Sequence, residues 1–157
     1  MLGDEIIHSV FDEVKENLAK AFIAKQIIEC ATKKYYWFGI FTDTPEKAQM
    51  VIQWCEDLRQ DYLPTYVSKV CKNPNGYYVD YYDGGRLQVI KAHEHMCGYR
   101  FNALMLDKDV PRKIKEECMF ILQIDYCEQD SPNLQDRVYI NRIENILQVD
   151  LNVNLEN

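Results

Sequence analysis

The sequence is poor in glycine and proline, with 6 and 5 of them among 157 residues. Long disordered segments are therefore not expected. It has no glycine-rich phosphate-binding loop of the form G-x-x-x-x-G-K-[ST]. Basic residues are fewer than acidic ones, 18 against 25, and the net charge is −7. This balance argues against broad binding to nucleic-acid phosphates and favours an acidic surface that meets a basic partner.

Three further absences concern location and chemistry. None of the six cysteines forms a C-x-x-C pair, so free thiols in a reducing compartment are expected. The first residues are acidic and no apolar signal segment follows them, and no apolar run has the length of a membrane span. The sequence also lacks the serine elbow G-x-S-x-G and any local signature of a cysteine enzyme. We expect a cytoplasmic protein without a cofactor.

The remaining composition is that of a globular chain, with 47% hydrophobic and 27% charged residues. The length predicts one domain over residues 1–157. Hydrophobic periodicity and turn residues predict an α/β fold, in which helices flank a central sheet of about five strands that includes a β-hairpin. The predicted helices span residues 4–31, 45–62 and 110–123, and the predicted strands span 35–41, 66–70, 77–82, 86–92 and 101–106. Residues 135–157 form an acidic tail that is predicted as a helix, or as a strand followed by a helix.

The N-terminal segment, residues 1–31, holds the first predicted helix, with Asp4 as a plausible N-cap. Its apolar residues recur at helical spacing, and we expect this stripe to pack against the sheet. The alternative is a helix that pairs with a copy of itself or with a partner. The stripe consists of Ile7, Phe11, Val14, Leu18, Phe22 and Ile27.

The next helix has a clear start, because Thr44 is a capping residue and Pro45 suits the first helical position.

Tyrosine is abundant, and four tyrosines lie before the turn Asp83-Gly84-Gly85, a strong hairpin signal. Alternation along the strand places Tyr77, Val79 and Tyr81 on one face and Tyr78, Asp80 and Tyr82 on the other. One face is expected on the core. The other offers stiff aromatic area suited to binding, although ordinary cross-strand packing explains it equally well. The predicted contact residues for a partner are Tyr78, Asp80, Tyr82 and Asp83, supported by the acidic Glu128 and Asp130.

Two patterns are candidate metal sites. Asp107 and Asp109 follow a buried apolar strand, where α/β folds often place Mg²⁺ ligands. The simpler interpretation is that Asp109 caps the next helix and Asp107 ends its strand in solvent. His93, His95 and Cys97 alternate, so on an extended strand they share one face and could bind zinc. The alternative for this run is a polar loop with a buried cysteine.

Residues 35–120 contain several short motifs that together resemble the ATPase domain of the large terminase subunit of tailed phages. These motifs are Phe38-Gly-Ile-Phe-Thr-Asp-Thr-Pro-Glu-Lys-Ala, Gly85-Arg-Leu-Gln-Val-Ile, Gly98-Tyr-Arg-Phe and Leu104-Met-Leu-Asp-Lys-Asp. The resemblance implies a core strand and helix, a hairpin and an acidic strand that helps to hold Mg-ATP, with Asp107 as the metal-holding acid. Lys108 stands where such enzymes usually have a second acid, and the phosphate-binding loop is missing. A related scaffold without catalysis, of phage or mobile-element origin, is the resulting interpretation.

These observations predict a non-enzymatic acidic protein that docks on a larger nucleic-acid-handling protein of the host cytoplasm and inhibits it, as anti-CRISPR and other anti-defence proteins do. Direct contact with nucleic acid or a membrane is not expected, and a homodimer through the N-terminal helix is an open alternative. Two other functions remain under consideration, a nucleotide-binding or Mg²⁺-dependent enzyme fragment and a zinc-stabilised domain.

Overall fold

The computed structural model describes residues 2–73, 76–91, 101–121 and 146–153. Their helices are α1 (Leu2–Thr32), α2 (Pro45–Asp61) and α3 (Arg112–Ile121), with a 3₁₀ turn at Pro64–Tyr66. Their strands are β1 (Trp37–Thr42), β2 (Val67–Asn73), β3 (Gly76–Tyr81), β4 (Arg86–Lys91), β5 (Ala103–Asp107) and β6 (Ile146–Val149). The predicted α/β fold class is confirmed, with one strand more than the five expected. That strand, β6, lies within the segment predicted as an acidic tail.

The six strands form one mixed sheet in the order β2-β3-β4-β1-β5-β6. The central strand β1 runs parallel to both β4 and β5, and β5 runs parallel to β6. Strands β2, β3 and β4 pair antiparallel, as the predicted hairpin requires. After β1 the chain forms β2, β3 and β4 on one side of β1, and it then crosses over to place β5 and β6 on the other side of β1. Such a reversal of strand order opens a crevice at the carboxyl edge of a sheet, where α/β proteins place their ligands.

Both faces of the sheet are covered by helices. The larger core lies under α1 and α2 and includes Phe38, Ile40 and Met105, whereas the smaller core lies under α3 and includes Phe41 and Leu104. Because β1 contributes to both cores, its nearly continuous apolar sequence is explained by burial on two faces. The alternation predicted for β3 is also confirmed, since its residues 77, 79 and 81 are buried in the larger core.

The prediction for the apolar stripe of α1 is wrong in its first half. Ile7, Phe11, Val14 and Leu18 are exposed, and burial begins only at Ala19. Helical spacing indicates that a helix has an apolar side, but it carries no information on which protein surface covers that side. The helix also begins at Leu2 rather than after an Asp4 cap.

The β3–β4 turn packs so closely against the end of α1 that its two glycines leave no space for a Cβ atom. Gly84 has a φ of 85°, which suits glycine, and a Cβ there would lie 2.4 Å from the ring of Tyr35. A Cβ at Gly85 would lie 2.0 Å from the carbonyl oxygen of Cys30. The close approach of α1 to this turn therefore depends on both glycines.

Candidate functional site

A cluster of four charged side chains lies at the carboxyl edge of the sheet, beside the ends of β1 and β5. Asp43 directly follows β1, Asp107 is the last residue of β5, and Asp109 follows two positions later. One carboxylate oxygen from each lies within 4.8 Å of the others. The fourth member is Lys47, whose side chain is buried among them. We call these residues the lysine–carboxylate cluster.

The local sequence explains the position of Lys47. The Thr44 hydroxyl accepts a hydrogen bond from the Lys47 backbone nitrogen at 3.3 Å, and Pro45 occupies the first turn of α2. This confirms the predicted helix start. The cap places Lys47 in the first helical turn, directly above the strand ends. Lys47 also follows Asp43 by four residues, which brings their side chains together at 3.0 Å.

The ammonium of Lys47 contacts all three carboxylates. Its Nζ lies 2.7 Å from Oδ2 of Asp107, 2.9 Å from Oδ2 of Asp109 and 3.0 Å from Oδ1 of Asp43. An ammonium has three N–H donors and no acceptor. Two donors are hydrogen-bonded, to Asp107 and Asp109, whereas the contact with Oδ1 of Asp43 is an ion pair without hydrogen-bond geometry. Lys47 therefore lies among three carboxylates that could otherwise hold a metal ion.

The segment after β6 completes the cluster. The backbone nitrogen of Leu151 donates to Oδ1 of Asp107 at 3.1 Å, and Nδ2 of Asn152 donates to Oδ2 of Asp109 at 2.8 Å. Both oxygens of Asp107 are thus hydrogen-bonded although the residue is fully buried. Lys108, whose position in the resemblance is that of a second acid, instead lies 3.5 Å from Asp150.

Burial and charge shift the pKa values of the cluster in different directions. Burial alone would lower the pKa of Lys47, but its hydrogen bonds to Asp107 and Asp109 and its contact with Asp43 outweigh burial and raise it above its ordinary value. Burial raises the pKa of Asp107, and the bonds from Lys47 and Leu151 offset this only in part. The bonds from Lys47 and Asn152 lower the pKa of the more exposed Asp109. With all four groups charged, three carboxylates and one ammonium leave a formal charge of −2.

Two buried polar atoms at the cluster accept or donate no hydrogen bond within the described residues, namely Oδ1 of Asp43 and the hydroxyl of Thr42. Thr42 is the last residue of β1 and is fully buried. Phe41 pairs with Leu106, so the next position in this parallel register sets Thr42 beside Asp107. An unpaired buried hydroxyl costs about 1–3 kcal/mol.

The simpler interpretation of the two aspartates is wrong. Asp107 does not end in solvent, because it lies under the Lys47 ammonium. Asp109 does not cap α3, since its recorded partners are Lys47 and Asn152. The sequence reasoning identified both aspartates but missed Asp43 and Lys47. Their i, i+4 spacing around the Thr44-Pro45 helix start was the available signal.

A second candidate surface surrounds the β3–β4 turn at the opposite edge of the sheet. Tyr82 and Tyr35 expose 71% and 73% of their area, and Tyr66 exposes 45%. Hydrogen bonds join their backbones, from Tyr82 nitrogen to Tyr66 oxygen and from Tyr35 nitrogen to Asp83 oxygen, both at 3.0 Å. We call these three tyrosines the tyrosine surface. Tyr35 has a φ of 55°, a left-handed conformation that is strained for a bulky residue.

The four predicted contact residues of the hairpin therefore separate into two pairs. Tyr82 and Asp83 are exposed at the turn. Tyr78 and Asp80 are half-buried and bind Arg86 instead. The guanidinium stacks 4.1 Å from the Tyr78 ring centre and donates to both oxygens of Asp80, at 2.6 and 3.1 Å.

The other predicted site residues lie outside the described residues. They are the partner-binding candidates Glu128 and Asp130 and the zinc candidates His93, His95 and Cys97. Comparison with protein-family models, with curated proteins and with solved structures found no match to this chain. In the described segments, none of the helices combines the length and the apolar character needed to cross a bilayer.

Proposed function

We propose that the chain is a non-enzymatic binding protein that docks through the tyrosine surface on a basic, nucleic-acid-handling protein and inhibits it. The observation that carries the proposal is the exposure of three tyrosine rings around one turn, with Tyr35 on strained backbone. Tyrosine supplies large, stiff contact area with a polar end, and it is enriched among residues that dominate binding energy. Strained backbone concentrates at functional sites.

The lysine–carboxylate cluster supports a binding role over catalytic turnover. The Lys47 ammonium is hydrogen-bonded to Asp107 and Asp109 and forms an ion pair with Asp43. A metal ion could enter only if the buried ammonium gave up its contacts with Asp107 and Asp109. Unpairing a buried charge is strongly unfavourable. The cluster therefore serves to fasten α2 to the ends of β1 and β5.

Charge defines the class of partner. The net charge of −7 attracts a basic protein over long range. Exposed tyrosine faces bind guanidinium groups, as Tyr78 does within the sheet by stacking on Arg86. Arginine-rich faces are typical of proteins that hold nucleic acid. The proposed class is thus an inhibitor that covers such a face, like the anti-defence proteins of phages; this last step is an analogy.

The test is capture of partners from a host lysate with tagged wild type, Tyr82→Ala and Arg112→Ala. Arg112 is 92% exposed on α3 and serves as a matched surface control. We expect a basic protein that wild type and Arg112→Ala retain, that Tyr82→Ala loses, and that salt releases. The purified partner should then lose nucleic-acid binding when wild type is added. Capture that is indifferent to Tyr82, or a partner whose nucleic-acid binding is unaffected, would contradict the proposal.

A divalent-cation site is the second candidate, and the three converging carboxylates with the unpaired Thr42 hydroxyl favour it. In this alternative, Lys47 leaves the cluster when Mg²⁺ enters. Titration of wild type with Mn²⁺, followed by electron paramagnetic resonance, separates the two. Binding that Asp109→Asn abolishes would establish the metal site. Absence of such binding supports the view that Lys47 occupies the position permanently.

A further inference from the structure

The first half of α1 carries an apolar surface on the side that faces away from the sheet. Six side chains expose between 53% and 58% of their area, namely Ile6, Ile7, Val10, Phe11, Val14 and Leu18. At about 100° per residue, they lie roughly opposite the buried residues of the second half, such as Ile23 and Cys30. We call these six residues the α1 outer face.

The side of α1 that continues the buried face is polar in this first half. It carries Ser9, Asp12 and Glu16, which are exposed or half-buried. Near the middle of the helix, the ammonium of Lys15 lies 3.0 Å from Asp150, the residue directly after β6. None of the described side chains between residues 3 and 14 is buried. The first half is thus an amphipathic helix whose apolar side has no cover within the described residues.

We infer that the α1 outer face binds the same face of a second copy of the chain. Because the six side chains are 53–58% exposed, each leaves about 100 Å² in water, and complete burial in two copies would remove at most about 1,200 Å², the lower end of a standard stable interface. Residues 7, 11, 14 and 18 recur at intervals of four, three and four, the spacing of a helix–helix seam. An exposed apolar patch of this size on a soluble chain marks an interaction site. This inference does not depend on the proposed function.

The charges beside the stripe argue against a lipid surface as the occupant. The sequence of residues 2–20 contains two lysines against five acidic residues, among them Asp12, Glu13 and Glu16. Helices that lie on membranes have basic polar faces, because cellular membranes are negatively charged. In a dimer the acidic Asp12 and Glu16 lie on the side of the helix away from the contact, roughly opposite the six uncharged residues that meet.

The test is sedimentation velocity of the full chain across a wide concentration range. We expect wild type to be a dimer and Phe11→Glu to raise its dissociation constant at least about a hundredfold. Ser9→Glu adds the same charge to the same helix outside the apolar face and should remain dimeric. Circular dichroism and the unfolding temperature of dilute samples should match for both variants, because neither side chain is buried.

Three results would overturn the inference. They are a monomeric wild type at all concentrations, a Phe11→Glu variant that dimerises like wild type, and a Ser9→Glu variant that dissociates equally. Co-sedimentation of a monomeric wild type with anionic phosphatidylserine vesicles would assign the α1 outer face to a membrane instead.

Discussion

Replacing Lys47 by Met tests whether the lysine–carboxylate cluster stabilises the fold. Methionine preserves most of the side-chain length and removes only the ammonium that joins Asp43, Asp107 and Asp109. Asp107 would stay fully buried and would keep the hydrogen bond from the Leu151 nitrogen but lose its only cation among the described residues. Removing one member of a buried ion pair costs about 3–5 kcal/mol. A small domain has about 5–15 kcal/mol of total stability, so the loss should be readily measurable.

The variant should also change the pH dependence of stability. Without Lys47, desolvation by burial raises the pKa of Asp107 with less to offset it. A carboxyl whose folded pKa exceeds its unfolded pKa binds a proton on folding, so its destabilising effect grows as pH rises through the folded pKa. The Lys47→Met variant should therefore gain stability, relative to wild type, as pH falls from neutral towards the ordinary pKa of aspartate, about 3.9.

Magnesium should rescue the variant. The three carboxylates would then lack a cation, and Mg²⁺ prefers such oxygen ligands. A ligand at about 100 times its dissociation constant adds about 2.7 kcal/mol to the free energy of unfolding. Adding the Asp109→Asn change to the variant should abolish this gain, because it removes one charged ligand.

The assay is urea unfolding of wild type, Lys47→Met and Arg112→Met, with and without Mg²⁺. Arg112 forms an exposed pair with Glu116, and such a pair contributes only about 0–1 kcal/mol. If Lys47→Met were no more destabilising than Arg112→Met, the cluster would not fasten α2 to the strand ends. A magnesium effect on wild type that depends on Asp109 would refute the claim that the ammonium closes the site.

Three further predictions concern other parts of the fold. Tyr35→Gly should leave stability unchanged or raise it by about 1 kcal/mol, because it relieves a strained φ, while weakening partner capture in the lysate experiment. Gly85→Ala should lower the unfolding temperature sharply, because its Cβ would clash with the Cys30 carbonyl oxygen. Burial would raise the pKa of Glu56, but bonds from Arg59, Tyr77 and Lys72 lower it to about 2. The stability it contributes should be lost as pH falls from about 4.5 towards 2, and Glu56→Gln should flatten this part of the urea-derived profile.

Features set by neighbouring residues were predictable from the sequence. The start of α2 follows from Thr44 and Pro45, and the β3–β4 turn follows from Asp83-Gly84-Gly85. The alternation of Tyr77, Val79 and Tyr81 correctly predicted one buried face of β3. In each case the controlling interaction spans only a few residues, so the chain itself carries the information.

The lysine–carboxylate cluster was only half predictable. Asp107 and Asp109 are recognisable because they follow an apolar strand. Their contact with Asp43 and Lys47, which lie about 60 residues earlier in the chain, depends on β5 pairing with β1. Had β5 paired with an edge strand, these side chains would not meet. That choice is a property of strand order, which hydrophobic alternation does not encode. The tyrosine surface has the same origin, since Tyr35 and Tyr66 meet the turn only through long-range hydrogen bonds.

The helix α1 shows a different limit of periodicity. Its second half buries Ile23 and Ile27 on the side that faces the sheet, whereas its first half exposes large residues such as Phe11 on roughly the opposite side. A strong apolar signal thus also belongs to the side that the sheet does not cover. Apolar surface that the fold leaves exposed to water raises the free energy of the single chain, and this favours its burial against a partner. The same residues that misled the prediction of the core are therefore those that best indicate a partner for the helix.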